Sequence, residues 1–211
     1  MNKTKYLCTS VTLSLIFAIL MSVACFDAKC DTIRDNVLRL HILANSDSEH
    51  DQQIKLKVRD AVLKQCKGLF NGVNTAKEAE QIAKENLTVI ATAAQTELDR
   101  LGCDYGLSVE VAPTDFGTRE YEQVTLPAGE YMAVRILLGE AKGKNWWCVC
   151  FPNMCLTAAG EQEEISRVLD ESGTKIVTQS EKFKVKFKIV ELYEAIRSRY
   201  ENSKQGQVEP K

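Results

Sequence analysis

Apolar and polar positions alternate at period two from Leu38 to Asn45. Leu38, Leu40, Ile42 and Ala44 fall on one face, and Arg39, His41, Leu43 and Asn45 on the other, which predicts a strand. Asn45-Ser46-Asp47-Ser48 ends it with side chains that bond nearby backbone. Ser46 and Glu49 have capping-box spacing, and Asp47, Glu49 and Asp51 place carboxylates where a helix dipole favours them. Ile54, Val58, Ala61 and Val62 then recur at helical spacing and should face the strand.

The same procedure organises the rest. Thr75 and Glu78 repeat the capping-box pattern and open one long helix from Ala76 to about Leu101, which Gly102 closes. Strands are expected at 107–111, 118–125, 130–138 and 145–151, joined by short turns as an antiparallel meander. A short helix follows at 161–169, and Glu171-Ser172-Gly173 breaks it. From Ser180 to about Tyr200 a helix is preferred over a strand at 182–190, with Phe183, Phe187, Val190 and Ile196 inward. The fold class is α+β: a mainly antiparallel sheet of about four to five strands with helices packed on one face, preceded by an N-terminal signal segment. The expected divisions are a signal peptide or uncleaved anchor at 1–24, a linker at 25–35, a single domain at 36–200 and a disordered tail at 201–211.

Charge patterning changes the picture mainly at the N-terminus. Lys3 and Lys5 precede an uncharged run from Tyr6 to Phe26, and Ser22-Val23-Ala24 reads as a cleavage site before Cys25. The run is also long enough to span a bilayer uncleaved. A lipidated Cys25 is disfavoured by Ser22, where an apolar residue is usual. Export is therefore expected. A net charge of −2 gives no basic excess for nucleic acid. Eight cysteines include no CxxC pair and no zinc-ligand spacing, so no cofactor or metal is expected. Either Cys148 or Cys150 could reach Cys155 if the intervening segment turns.

Candidate chemistry is sparse, with no P-loop, GxGxxG, GxSxG or HExxH motif. His41, Asp47, His50 and Asp51 could gather around a metal, but dipole-capping acids and a solvated His50 explain them better. A Ser46–His41–Asp47 hydrolase is weaker still, because neighbours on one strand and turn rarely converge. His41, Asn45, Asp47 and Arg59 are expected to form a polar cluster at the strand–helix junction. Trp146 and Trp147 fall on opposite faces of a strand. One should be core and the other an interface anchor, with Trp146 favoured as the outward one.

Four stretches then carry a resemblance: LRLHILANSDSEHDQQIKLKVRDAVL (38–63), LPAGEYMAVRI (126–136), GKNWWCVCFPNMCL (143–156) and the N-terminal signal. The chain resembles the stage II sporulation protein R family. The resemblance implies a non-enzymatic ligand exported into the space between forespore and mother-cell membranes. There it would activate a membrane-embedded aspartic protease that cleaves pro-sigma-E. Membrane contact would come through that partner or the N-terminal segment. An exported hydrolase acting on cell-wall material through the His41/Asp47 junction is the alternative. In the family the last stretch has one variable residue where Cys150 stands, which favours a Cys148–Cys155 disulfide. Candidate partner-binding residues are His41, Asn45, Asp47, Arg59, Trp146 and Trp147, with Glu130 and Tyr131 from the second stretch.

Overall fold

The computed structural model describes residues 2–153 and 161–205. Its elements in order are α1 (Asn2–Asp35), β1 (Leu38–Leu43), α2 (Glu49–Leu69), α3 (Ala76–Glu85), α4 (Leu87–Arg100), β2 (Leu107–Phe116), β3 (Arg119–Glu120), β4 (Thr125–Leu126), β5 (Gly129–Leu138), β6 (Asn145–Phe151), α5 (Glu161–Val168), α6 (Glu171–Thr178) and α7 (Lys184–Gln205). A 3-10 turn at Ser180–Phe183 leads into α7.

The α+β class holds. The main sheet has four strands in the order β2-β5-β1-β6. β2–β5 and β1–β6 pair antiparallel, and β1–β5 pair parallel. The expected meander is therefore corrected: β1 inserts between β5 and β6. A central strand must be covered on both sides, and β1 is buried at Leu38 through Ile42. The parallel pairing is possible because α2, α3 and α4 supply a long crossover.

Helices lie on both faces rather than one, because both faces of the sheet carry large apolar side chains. Leu38, Leu40, Ile42, Val134 and Ile136 meet Ile54 and Val58 of α2, Ala79 and Ala83 of α3, and Ile90 and Leu98 of α4. The opposite face presents Tyr131, Ala133 and Val149 to Ile33 of α1, Ile165 of α5, Ile176 of α6, and Phe187 and Val190 of α7.

Residues 25–35 are not a linker. α1 continues through them without a break, and Phe26, Cys30 and Ile33 are buried at i, i+4 and i+7. Arg34 is also buried, and its Nε and Nη2 donate to the Ala128 carbonyl at 2.9 and 2.6 Å. The expected helix 76–101 is two helices. Asn86 divides them, with its backbone at φ −110° and ψ 17° and its side-chain amide donating to the Ile82 carbonyl at 2.8 Å. Gly102, at φ +67°, ends α4 as expected, with Cys103 N donating to Leu98 O.

The strand expected over 118–125 is instead a two-stranded ribbon, β3–β4, closed by Tyr121 N donating to Val124 O at 2.8 Å. β2 runs on through Pro113, which an edge strand tolerates. Glu171-Ser172-Gly173 opens a helix instead of breaking one, because Asp170 caps it by accepting from Gly173 N at 2.6 Å. α7 buries Phe187 and Val190, but Ile196 is exposed. The tail expected to be disordered is helical to Gln205, and the remainder lies outside the described residues.

Candidate functional site

The strand–helix junction is assembled around Asp51, which is 4% exposed. Ser48, not Ser46, caps α2 by accepting from Asp51 N at 3.2 Å. That frees Ser46 to donate through Oγ to Asp51 Oδ2 at 2.6 Å, beside Asn45 Nδ2 at 2.9 Å. Tyr105 donates its hydroxyl to the other carboxylate oxygen. Hydrogen bonds from Ser46 and Tyr105 hold this carboxyl well below the ordinary carboxylate range, and burial opposes them. The same bond pushes the Tyr105 phenol up to about 12.

A second loop, 139–144, is tied onto this network. Asn45 Oδ1 accepts from Glu140 N at 2.9 Å, and Asp47 Oδ1 accepts from Lys144 N at 2.7 Å. Gly143 N donates to Ala44 O at 2.9 Å. Lys55, 4% exposed, donates to the Lys144 carbonyl at 2.8 Å and to Gln52 at 2.6 Å, and burial lowers its pKa. A Cβ at Gly139 would run into the Asn45 amide, and one at Gly143 into the Ser46 carbonyl. Glycine is needed at both places so that the two loops can touch.

Loop 139–144 delivers β6 alongside β1, with Leu43 opposite Asn145, Ile42 opposite Trp146 and His41 opposite Trp147. The two sequence stretches with the most unusual composition are therefore neighbours in space. Trp147 lies flat on His41, with centroids 4.2 Å apart and planes 3° apart, and Phe116 meets it edge-on at 4.5 Å. His41 Nε2 bonds Asn145 Oδ1 at 2.7 Å. Burial lowers its pKa, with Arg135 and Arg39 adding to the fall. Trp146 lies on the other face beneath Arg59, whose guanidinium carbon is 4.2 Å from its ring centroid.

Beneath this stack Arg39 is fully buried. Its guanidinium lies 3.9 Å from the Phe116 centroid and 4.9 Å from that of Tyr131, and Nη2 donates to Tyr121 Oη at 2.7 Å. Nε and Nη1 have no hydrogen-bond partner.

The candidate residues thus divide. Asn45 and Asp47 share the loop network, while His41 bonds Asn145 and Arg59 stacks on Trp146. Strand alternation of the tryptophans holds, but each face is covered, so neither ring is simply outward: both are half-buried. Glu130 and Tyr131 sit at the far end of β5. Tyr131 is 1% exposed and donates to the Pro127 carbonyl at 2.7 Å. Cys148 is disulfide-bonded, and Cys150 is buried. Cys155 lies outside the described residues, so the expected pairing does too. Sequence reasoning named Asp51 only as a first-turn acid and a weak metal candidate, and passed over Lys55, Tyr105 and Arg39. Only Arg39 left a signal, as a charge inside an apolar strand.

Chemically the arrangement is a braced surface. The hydroxyl of Ser46 is committed to Asp51, and His41 faces Asn145, so Ser46, His41 and Asp47 do not converge. Among the described residues no three His, Cys, Asp or Glu side chains are grouped to hold a metal. The site is thus a braced, half-aromatic edge on an α+β domain whose apolar N-terminal helix fits a signal segment. Residues 34–161 match the family described as stage II sporulation protein R, and the chain belongs to that family. It is 36% identical over 147 residues to the stage II sporulation protein R of Bacillus subtilis (strain 168), covering 70% of this chain and 66% of that relative. No solved structure gives a significant match.

Proposed function

We propose that this protein is an exported sporulation signal that activates a membrane-embedded aspartic protease of the mother cell, which then cleaves pro-sigma-E. The match over residues 34–161 carries this reading. α1 supports it: the helix is long and apolar enough to cross a membrane, and its apolar side chains from Tyr6 to Met21 are exposed. The site of action is the space between forespore and mother-cell membranes. The protein acts as a ligand, without chemistry of its own. Its effect on the protease must come from tighter binding to the active state than to the inactive one.

The surface that does this is the edge where Asp47, Asn145, Trp146 and Arg59 come together, fixed by the two interlocked loops. A preorganised edge loses little entropy on binding, and Trp and Arg are frequent hot spots. The hydrolase reading has no converging nucleophile and base to support it. Co-expression with the protease and pro-sigma-E in a host lacking sporulation genes tests the proposal. Processing that depends on this chain is expected. Processing without it, or none with it, overturns the reading.

A further inference from the structure

The uncharged run from Tyr6 to Phe26 covers 21 residues. As helix it is about 31 Å long, close to the ~30 Å hydrocarbon core of a bilayer. Lys29 follows within one turn, at headgroup depth. There α1 docks on the domain: Phe26 stacks on Phe183 at 5.7 Å and meets Phe187 edge-on at 5.5 Å.

A cleft of about 250 Å³ opens beside this aromatic contact. Lys29, Lys175 and Lys186 line it together with Ser172, and no carboxylate does among the described lining residues. Lys29 donates to Ser172 Oγ at 2.7 Å, and Lys186 Nζ stands 5.5 Å from the Phe26 centroid. Of the nearby acids, Asp27 is turned away to Arg34 at 3.3 Å, and Glu171 pairs at the surface with one of the three lysines, Lys175.

We propose that this cleft binds the phosphate of an anionic phospholipid headgroup. The three ammonium groups and the serine hydroxyl supply the donors, and Phe26 and Phe183 form an apolar floor at the depth where acyl chains begin. Basic residues next to a membrane segment attract anionic lipids in this way. The proposal rests on reading α1 as membrane-inserting.

The test places the full chain in nanodiscs of phosphatidylcholine alone or with a quarter phosphatidylglycerol and follows thermal unfolding by near-ultraviolet circular dichroism. A ligand that binds only the folded domain raises its melting temperature. The expected rise with the anionic lipid is roughly 2–4 °C. It should vanish at high salt and in K29Q/K175Q/K186Q, and persist in K57Q/K64Q/K142Q, which removes the same charge elsewhere. Equal melting in both lipids, or equal loss in both triple variants, overturns the proposal. So does the same rise from inorganic phosphate in phosphatidylcholine discs, which would make this a free-anion site. None of these outcomes bears on protease activation, which is read by pro-sigma-E processing.

Discussion

Asp51 shows how one carboxylate can hold a surface in shape. Asparagine there keeps the size but loses the charge toward which Ser46, Asn45 and Tyr105 donate. Asp51→Asn should cost about 1–3 kcal/mol at pH 7, because strained or unpaired donors remain. The sign in acid follows from the lowered folded pKa. The unfolded value is near 3.9, so the stabilisation is fully present above that pH and is lost as pH falls below it toward the folded value. Urea midpoints at neutral and acid pH should converge for wild type and variant as pH falls. Arg39 makes the opposite case. Its charge is buried against two aromatic rings with two N–H groups unpaired. Arg39→Met should leave stability within about 1 kcal/mol of wild type or raise it. Arg39→Ala should cost about 2–5 kcal/mol through the cavity it opens. If methionine proved as costly as alanine in urea denaturation, the guanidinium itself would be the stabilising group. Neither role was legible in the sequence. Asp51 reads as an ordinary first-turn acid, and its donors come from residues 45, 46 and 105, whose meeting is a tertiary fact.

Elements were legible wherever a period or a cap was strong. β1, α2 and the start of α3 follow from alternation, helical spacing and Thr75, which accepts from Glu78 N as expected. Breaks set by a single side chain were not, as at Asn86 and Asp170. The docked half of α1 was hidden because the apolar stripe of Phe26, Cys30 and Ile33 continues a helix that export patterning alone explains. β6 carries the element-scale prediction. Trp147→Ala removes a ring stacked on His41 and packed on Phe116, and should destabilise by about 3–5 kcal/mol. Trp146→Ala loses a half-buried ring under Arg59. It should melt closer to wild type while lowering pro-sigma-E processing by more than the loss of folded protein. If processing and melting fell together for Trp146, the recognition edge would have to lie elsewhere.

The whole molecule is a sheet with a core on each side, and the second core depends on distant segments of chain meeting. α1 and α7 lie at opposite ends of the sequence, and the turn before β5 sits between them. Arg34 joins all three. It donates to Ala128 O from two nitrogens, and pairs with Asp31 and Asp27 of its own helix and with Glu194 of α7 at 3.4 Å. Burial raises the pKa of Glu194, and Arg34, with Arg197 at 3.7 Å, opposes the rise. The two ends of the pair are not equivalent. Removing Arg34 leaves Glu194 without its main counter-charge and the Ala128 carbonyl without its donors. Removing the charge on Glu194 leaves Arg34 with Asp27, Asp31 and the carbonyl. Arg34→Met should therefore cost about 3–5 kcal/mol, as when one partner of a buried pair is deleted. Glu194→Gln should cost about 1 kcal/mol, the scale of a single hydrogen bond. A double-mutant cycle in urea denaturation checks the asymmetry. Equal single effects with full coupling would mean that Arg34 serves only the α1–α7 contact and that the turn before β5 is held by other means.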